Sequence, residues 1–315
     1  GHVVKTELPD GNLAMAQAYV FNLRREKFQD RRVREALAMM FNFEWSNAQL
    51  FYGLYKRVQS FWGNSELEAR GVPTEGERAV LQPLVDQGLL SAEILTDEAV
   101  MAPVSGQRQL DRKNLRRASQ LMDEAGWRVN SDGMREKDGQ VFTLEVLDSS
   151  PAFDRITNPM IENMKALGID ARLNRVDTAQ ESERTRAYDF DVTTHSMRMS
   201  FEPSSGLEQY FGTKAMDESS RNLMGLSDPA VDALIEKTVR AQSKAELNTN
   251  IHALDRVLRA KRFWIPQWFK AVHTVAYYDQ YGHPDPLPPF ARGELDFWWF
   301  DAEKAAKLEA AGVLN

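Results

Sequence analysis

The segment from Val141 to Ser196 reads VFTLEVLDSSPAFDRITNPMIENMKALGIDARLNRVDTAQESERTRAYDFDVTTHS, and its hydrophobic pattern decides the fold class. Apolar and polar residues alternate over Phe142–Val146 and again over Ile169–Leu173, which predicts two half-buried strands. A helix that ends near Gly168 separates them, and a second short helix leads to a third strand at Asp189–Thr194. This order is typical of right-handed parallel crossovers, so the sequence predicts an α/β layer fold.

The start of the helix before Gly168 is open to two interpretations. Asn158 and Pro159 either cap and begin the helix, or they kink a helix that begins near Phe153. Both alternatives keep the order of strand, helix and strand, so the fold class does not depend on the choice.

Further elements flank this segment on both sides. Met15–Leu23 is a mostly apolar stretch that predicts a strand, and Asp30 is placed to cap a helix whose apolar face carries Val33, Leu37, Met40 and Phe41. Asp111–Ala125 predicts another helix, and the SDG and KDG turns after it indicate a β-meander. Met197–Ser227 shows no clear period, and connections of this length are usually functional or disordered.

Composition limits the function classes. The chain has 315 residues, 43% apolar and 27% charged, so it can bury a sizeable core in one large domain or two smaller ones. Its net charge is -7, and no basic run interleaves with aromatic residues, so nucleic acid is not an expected partner. The absence of cysteine excludes thiolate metal sites and thiol catalysis, and no apolar run reaches the roughly 20 residues of a membrane-spanning helix.

No motif for catalysis is present in the sequence. A nucleophile elbow, a phosphate-binding loop, a zinc-type histidine pair and a dinucleotide glycine fingerprint are all missing, so we expect no catalytic residues, metal site or cofactor. Aromatic residues are more informative, because four of the seven tryptophans lie after residue 260. Large rings at this density favour a packed interface or a ligand cleft.

Several segments, taken in order, resemble the oligopeptide- and dipeptide-type extracellular solute-binding proteins of bacterial ABC importers. They include YVFNLRREKFQDRRVREALAMMFNFEWSN (19–47), GLEQYFGT (206–213), SRNLMGLSDPAVDALIEK (220–237) and IPQWF (265–269). The resemblance covers essentially the whole chain and is greatest to the Yej-type branch, which is associated with uptake of peptides and microcin C. It implies a periplasmic-binding-protein type lobe with a mixed, largely parallel sheet flanked by helices.

The resemblance also implies a division of the chain, because members of that family are about twice as long. Residues 1–23 would return from a missing first lobe, residues 24–269 would form the second lobe, and residues 270–315 would cross back. The chain would then be the C-terminal half of a periplasmic protein that binds peptides between its lobes and delivers them to membrane permease subunits.

The resemblance places the ligand contacts mainly in the loop Met197–Asn222. The expected roles are a carboxylate or phosphate contact for Arg198, cation contacts for Glu202 and Glu208, amide contacts for Gln209 and Asn222, and apolar walls from Trp45 and Trp62. Peptide binders of the family commonly carry an aspartate that meets the ligand ammonium group. Met199 occupies that position here, so an acid nearby is expected to replace it.

Two other function classes compete with this interpretation. A carbohydrate-active enzyme would use the tryptophans and acidic residues as a sugar cleft, and it would need two carboxylates about 5 to 10 Å apart across an open groove. An interaction module without a transport role would use the aromatic C-terminal region as its binding surface.

Overall fold

Short strands and helices alternate along the computed structural model, which describes residues 2–203, 205–218 and 220–314. The strands are β1 (Val3–Pro9), β2 (Ala16–Phe21), β3 (Lys56–Arg57), β4 (Arg128–Val129), β5 (Arg135–Lys137), β6 (Gln140–Val141), β7 (Thr143–Asp148), β8 (Asp170–Arg175), β9 (Val192–Met197), β10 (Trp264–Pro266), β11 (Trp268–Phe269), β12 (Val272–Tyr278), β13 (Tyr281–Gly282) and β14 (Trp299–Phe300). The helices are α1 (Arg31–Ala38), α2 (Phe43–Leu50), α3 (Glu75–Asp86), α4 (Arg112–Glu124), α5 (Asp154–Ala166), α6 (Thr178–Arg186), α7 (Gly206–Phe211), α8 (Pro229–Val239), α9 (Lys244–Ala260) and α10 (Ala302–Ala310). Among these helices, none combines the length and the apolar character that a membrane span requires.

A five-stranded mixed sheet lies at the centre, in the order β10-β2-β9-β7-β8. Strand β7 runs parallel to β8 on one side and to β9 on the other. Strand β2 runs antiparallel to both β9 and β10. Four strands therefore point in one direction and β2 in the other, which confirms the prediction of an α/β fold with a mixed, largely parallel sheet flanked by helices.

Each face of the sheet is covered by its own hydrophobic core. Tyr19 and Phe21 of β2 pack with residues of α1, α4 and α5, whereas Ala18 and Val20 face the side covered by α3, α8 and α9. Side chains alternate between the faces of a strand, so one apolar segment serves both cores. Full burial of a large apolar side chain contributes about 1.5 to 3 kcal/mol to stability. The strand from Ala16 to Phe21 is therefore a main source of stability.

The boundaries of several elements differ from the sequence prediction. Helix α1 is capped by Asp30, whose carboxylate accepts the Arg32 N–H at 2.8 Å, but it ends at Ala38. Met40 and Phe41 follow the helix but remain buried, because they pack in the same core as Val33 and Leu37.

Two further boundaries are settled in the second half of the chain. Pro159 lies inside α5, which begins at Asp154, so the helix does not start at Asn158. Strand β9 begins at Val192, three residues later than predicted, because Asp189 and Asp191 are engaged with Arg25 and Lys27. The aperiodic segment contains the short helix α7, and its residues 204 and 219 lie outside the described ranges.

Helix α9 carries a buried ion pair that holds an irregular loop. Asp255 and Arg259 are one turn apart, 3.1 Å from each other and almost fully buried. The Asp255 carboxylate also accepts the backbone N–H of Phe61 at 3.0 Å and that of Ala69 at 3.1 Å. These two bonds fix both ends of residues 61–69, which we call the anchored loop. Burial raises the pKa of Asp255, and the charge of Arg259 opposes this rise.

Residues 270–314, which we call the C-terminal region, lie outside the five-stranded sheet. Strand β12 pairs with β1 as a separate antiparallel ribbon. The rings after it are incompletely buried, and Trp299 is 52% exposed. The region returns to the rest of the chain at Gly11, whose N–H donates to the Pro289 carbonyl at 2.7 Å. A Cβ atom on Gly11 would lie 2.2 Å from that oxygen, so only glycine fits here.

We expect Asp255→Asn to destabilise the fold by about 3 to 5 kcal/mol, because it leaves the Arg259 guanidinium buried without its counter-charge. Chemical denaturation measures the effect as a change in the free energy of unfolding. Glu236→Gln is the matched control, since Glu236 and Arg240 form an exposed pair with the same helical spacing, and it should cost about 0.5 kcal/mol or less. Equal losses for the two variants would contradict the assignment of the buried pair as an anchor.

Candidate functional site

The carboxyl ends of four strands meet at one edge of the sheet. Strands β7, β8, β9 and β10 end there, and β2 begins there because it runs the opposite way. In open α/β sheets, ligands bind in the crevice outside the carboxyl ends of the strands. This edge is therefore the candidate site.

A groove of about 550 Å³ opens at this edge. One side is formed by residues 12–15, just before β2, and the other by residues 198–202, just after β9. We call residues 198–203 the charged loop, because they include Arg198 and Glu202. Both side chains are exposed, and within the described residues neither takes part in an ion pair. A cation and an anion in one groove thus remain available to a solute.

The charged loop rests on a tryptophan from the anchored loop. Trp62 is fully buried, and its indole N–H donates to the Ser200 carbonyl at 3.2 Å. The sequence analysis predicted an apolar wall at Trp62; the ring has no exposed surface and is not part of the groove lining. It supports the loop from below.

Asn222 also has a different role from the predicted one. Its side-chain amide is fully buried and donates to the carbonyls of Gly212 and Leu226, at 3.2 and 2.9 Å. Its side-chain oxygen accepts the Leu226 N–H at 2.8 Å. The bonds to Leu226 close the turn before α8, and the bond to Gly212 joins this turn to the end of α7, so both donors of the amide are used inside the fold.

The remaining predicted contacts lie on helices outside the groove lining. Glu208, on α7, is 3.7 Å from Lys214 and lines a different depression, between α7 and α8. Gln209 is exposed on the same helix. Trp45 is half-buried on α2, where its backbone N–H donates to the Asn42 side chain at 2.8 Å. The structure therefore brings together Arg198 and Glu202, but not these three residues.

Sequence reasoning missed a row of polar residues at the same edge. Gln17, in β2, is half-buried and lies opposite Ser196 of β9. Its amide donates to the Gln267 side-chain oxygen at 2.7 Å, directly after β10. A polar residue near the start of the otherwise apolar segment MAQAYVF was the available signal.

A second set of charged residues lies where β7 and β8 end, at the opposite end of the strand order from β10. Asp148, the last residue of β7, is 3.0 Å from Arg175, the last residue of β8, and Arg175 also pairs with Asp154. Both strands therefore end in a charge at the carboxyl edge, as their sequences LEVLD and ARLNR indicate. Each of these charges has a partner of opposite sign within the fold, whereas Arg198 and Glu202 have no ion-pair partner among the described residues.

No cluster of acidic and histidine side chains suited to a metal ion occurs among the residues that the structure describes. The titratable group nearest to the charged loop in sequence is His195, in β9. Its Nε2 is 3.0 Å from the Arg221 carbonyl, so that nitrogen carries the proton and donates. Burial lowers the pKa of His195, and the bond to the carbonyl opposes this shift in part.

We expect acidification to destabilise the protein partly through His195. A pKa lowered by folding favours the neutral ring, so its contribution to stability is present above the ordinary value of about 6.5 and is lost as the pH falls through the folded value. Denaturation midpoints at pH 7 and pH 5 should therefore differ more for the native chain than for His195→Gln. An identical decrease in the variant would exclude His195 as a source of the pH dependence.

The family model described as bacterial extracellular solute-binding proteins, family 5 (middle region), matches residues 5–218. The probable peptide-binding protein YejA of Agrobacterium fabrum is 39% identical over 303 residues, which cover 95% of this chain and 49% of that protein. Protein y4wM of Sinorhizobium fredii is 38% identical over 317 residues, which cover 99% of this chain and 47% of that protein. The chain spans about half the length of these curated relatives.

A solved structure shares the fold. The oligopeptide-binding protein AppA from Bacillus subtilis, in complex with a nonapeptide, superimposes with a TM-score of 0.67 at 15% sequence identity. The alignment covers 95% of this chain and 53% of AppA. The likeness therefore extends over nearly all of the architecture described above.

Proposed function

Because the chain belongs to the bacterial extracellular solute-binding proteins of family 5, we propose that it forms one wall of a peptide-binding cleft in the receptor of an ABC importer. The observation that carries this proposal is the groove at the carboxyl edge of the sheet, where Arg198 and Glu202 lie exposed and without ion-pair partners among the described residues. A receptor of this kind binds its solute, encloses it and releases it, so the proposal needs no catalytic residue and no cofactor.

The chemistry of the groove suits a solute with charges of both signs. A guanidinium donates two parallel hydrogen bonds to a carboxylate, which makes Arg198 the proposed contact for an acidic group. Glu202 is the proposed contact for an ammonium group, since the neighbouring Met199 cannot accept hydrogen bonds strongly. Gln17 and Ser196 lie at the same edge of the sheet but outside the groove lining, so the proposal assigns them no ligand contact.

The proposal assigns no ligand contact to the other predicted residues. Glu208, Gln209 and Trp45 lie outside the groove lining, and the side chains of Trp62 and Asn222 are used inside the fold. Of the predicted contacts, the proposal therefore keeps the two charged residues of the groove, Arg198 and Glu202.

We further propose that the segments before Leu23 and after Phe269 connect this lobe to a second one in a periplasmic protein that delivers solute to permease subunits. Three observations support this: the ribbon of β1 and β12 stands apart from the central sheet, the rings after it are incompletely buried, and the matched relatives are about twice as long. The relation to YejA supports the Yej-type branch as the proposed subgroup.

The rival interpretation as a carbohydrate-active enzyme receives no support from the groove. A glycosidase needs two carboxylates facing each other across the scissile bond. Among the described residues that line the groove, Glu202 is the one acid, and Arg198 is the other charged group. The arrangement therefore fits the binding of a zwitterionic solute better than hydrolysis.

We expect Glu202→Gln to weaken binding of tetra-alanine by at least about 30-fold. Removal of one partner from an enclosed charge pair between protein and ligand costs about 2 kcal/mol or more of binding free energy. Isothermal titration calorimetry on the full chain as its gene encodes it measures the change. The N-acetylated tetrapeptide, which has no ammonium group, should bind the native protein and the variant about equally.

Glu208→Gln is the matched control for this experiment, since it removes the same charge from the neighbouring helix. It should leave the affinity for tetra-alanine within about twofold. If Glu208→Gln has the larger effect, Glu208 is the ammonium contact and the groove proposed here is not the solute site.

A further inference from the structure

Trp62 connects the helix layer to the charged loop. The anchored loop that carries Trp62 is held by the buried Asp255 carboxylate at Phe61 and at Ala69. From this position the fully buried indole reaches Ser200, between the two charged residues of the groove. A continuous path of buried contacts therefore runs from α9 to the surface of the groove.

The charged loop has few other polar attachments. Within the described residues, its backbone makes two hydrogen bonds to the rest of the chain, namely the one from Trp62 and one from Arg198 N–H to the Tyr210 hydroxyl. The second is 3.4 Å long and therefore weak. The bond from Glu202 N–H to the Ser200 hydroxyl, at 3.0 Å, is internal to the loop and does not fix its position.

We propose that Trp62 is a positioning residue, which holds the charged loop so that Arg198 and Glu202 face the groove together. This inference rests on the proposed function, because it concerns the solute contacts suggested above. The side chain itself does not touch the solute; its indole N–H fixes the carbonyl midway between the two charges. Met199 packs against the core and Phe201 contacts the ring of Phe290, and the Trp62 bond adds a polar attachment at the residue midway between the two charges.

The experiment uses Trp62→Phe in the full chain as its gene encodes it. This change removes the indole N–H and keeps an apolar ring in the core. We expect amide hydrogen exchange of residues 199–202, measured without solute by mass spectrometry, to become about tenfold faster. This factor corresponds to about 1.4 kcal/mol, which is the order of one hydrogen bond. Affinity for tetra-alanine should fall by a similar factor.

Trp264→Phe is the matched control. Trp264 is also buried, and its ring stacks on Phe61 with 4.2 Å between ring centroids, but it forms no hydrogen bond to the charged loop within the described residues. This variant tests whether loss of a large indole from the same core is sufficient to loosen the loop. We expect exchange of residues 199–202 to change in Trp62→Phe and not in Trp264→Phe.

A second variant keeps the test decisive if Trp62→Phe does not fold. Replacement of Trp62 by benzothienylalanine substitutes sulfur for the indole N–H and preserves the shape of the ring. Unchanged exchange of residues 199–202 in this variant overturns the proposal, and so does faster exchange with unchanged affinity. If the native chain does not bind tetra-alanine at all, the proposed function fails, while the exchange measurement still decides whether Trp62 anchors the loop.

Discussion

Strand β2 is the element on which the rest of the structure depends, because it is hydrogen-bonded along both edges and covered on both faces. Its neighbours β9 and β10 come from segments about 170 and 240 residues later in the chain, and both pair with it antiparallel. Tyr19 and Phe21 lie in one core, and Ala18 and Val20 in the other. Burial raises the pKa of the Tyr19 hydroxyl, which therefore stays neutral and shares a hydrogen bond with Thr157 at 2.8 Å. Gln17, the other residue of this strand with a polar side chain, lies near the start of the strand, at the edge of the sheet.

The groove is connected to buried charges that do not line it. Irregular loops contain backbone N–H groups that need acceptors when they are buried, and a carboxylate can satisfy two of them at once. Asp255 does this for the anchored loop, with Arg259 as its counter-ion. Glu77 and Arg256 form a second buried pair at 2.7 Å, and Arg256 also donates to the Gly71 carbonyl. Ionic contacts of the helix layer thus fix the loop that carries Trp62.

Periodicity predicted the elements whose neighbours are close in the chain. The strands β7 and β8, the helix between them and the cap at Asp30 all follow from local patterns. The end of α1 was not predictable in the same way, since Met40 and Phe41 continue the apolar pattern beyond the last helical residue. The parallel arrangement of β7 and β8 followed from their connection by a helix, whereas the antiparallel insertion of β2 depends on pairing across most of the chain.

Roles of individual loop residues were harder to predict than elements, because long-range contacts decide them. Trp62 and Ser200 are 138 residues apart in sequence, and no periodic pattern marks the contact. A tryptophan in a polar loop looks like a ligand wall until its burial is known. For Asn222 the deciding contact is local. Its side-chain amide is hydrogen-bonded to the backbone of Leu226, four residues later. Arg198 and Glu202 remain the candidates for a physical reason: a buried charge needs a partner inside the fold, whereas an exposed one is free to meet a solute. In water such charges attract a ligand only weakly. In the proposed receptor, their full effect would require a second surface that excludes water from the groove.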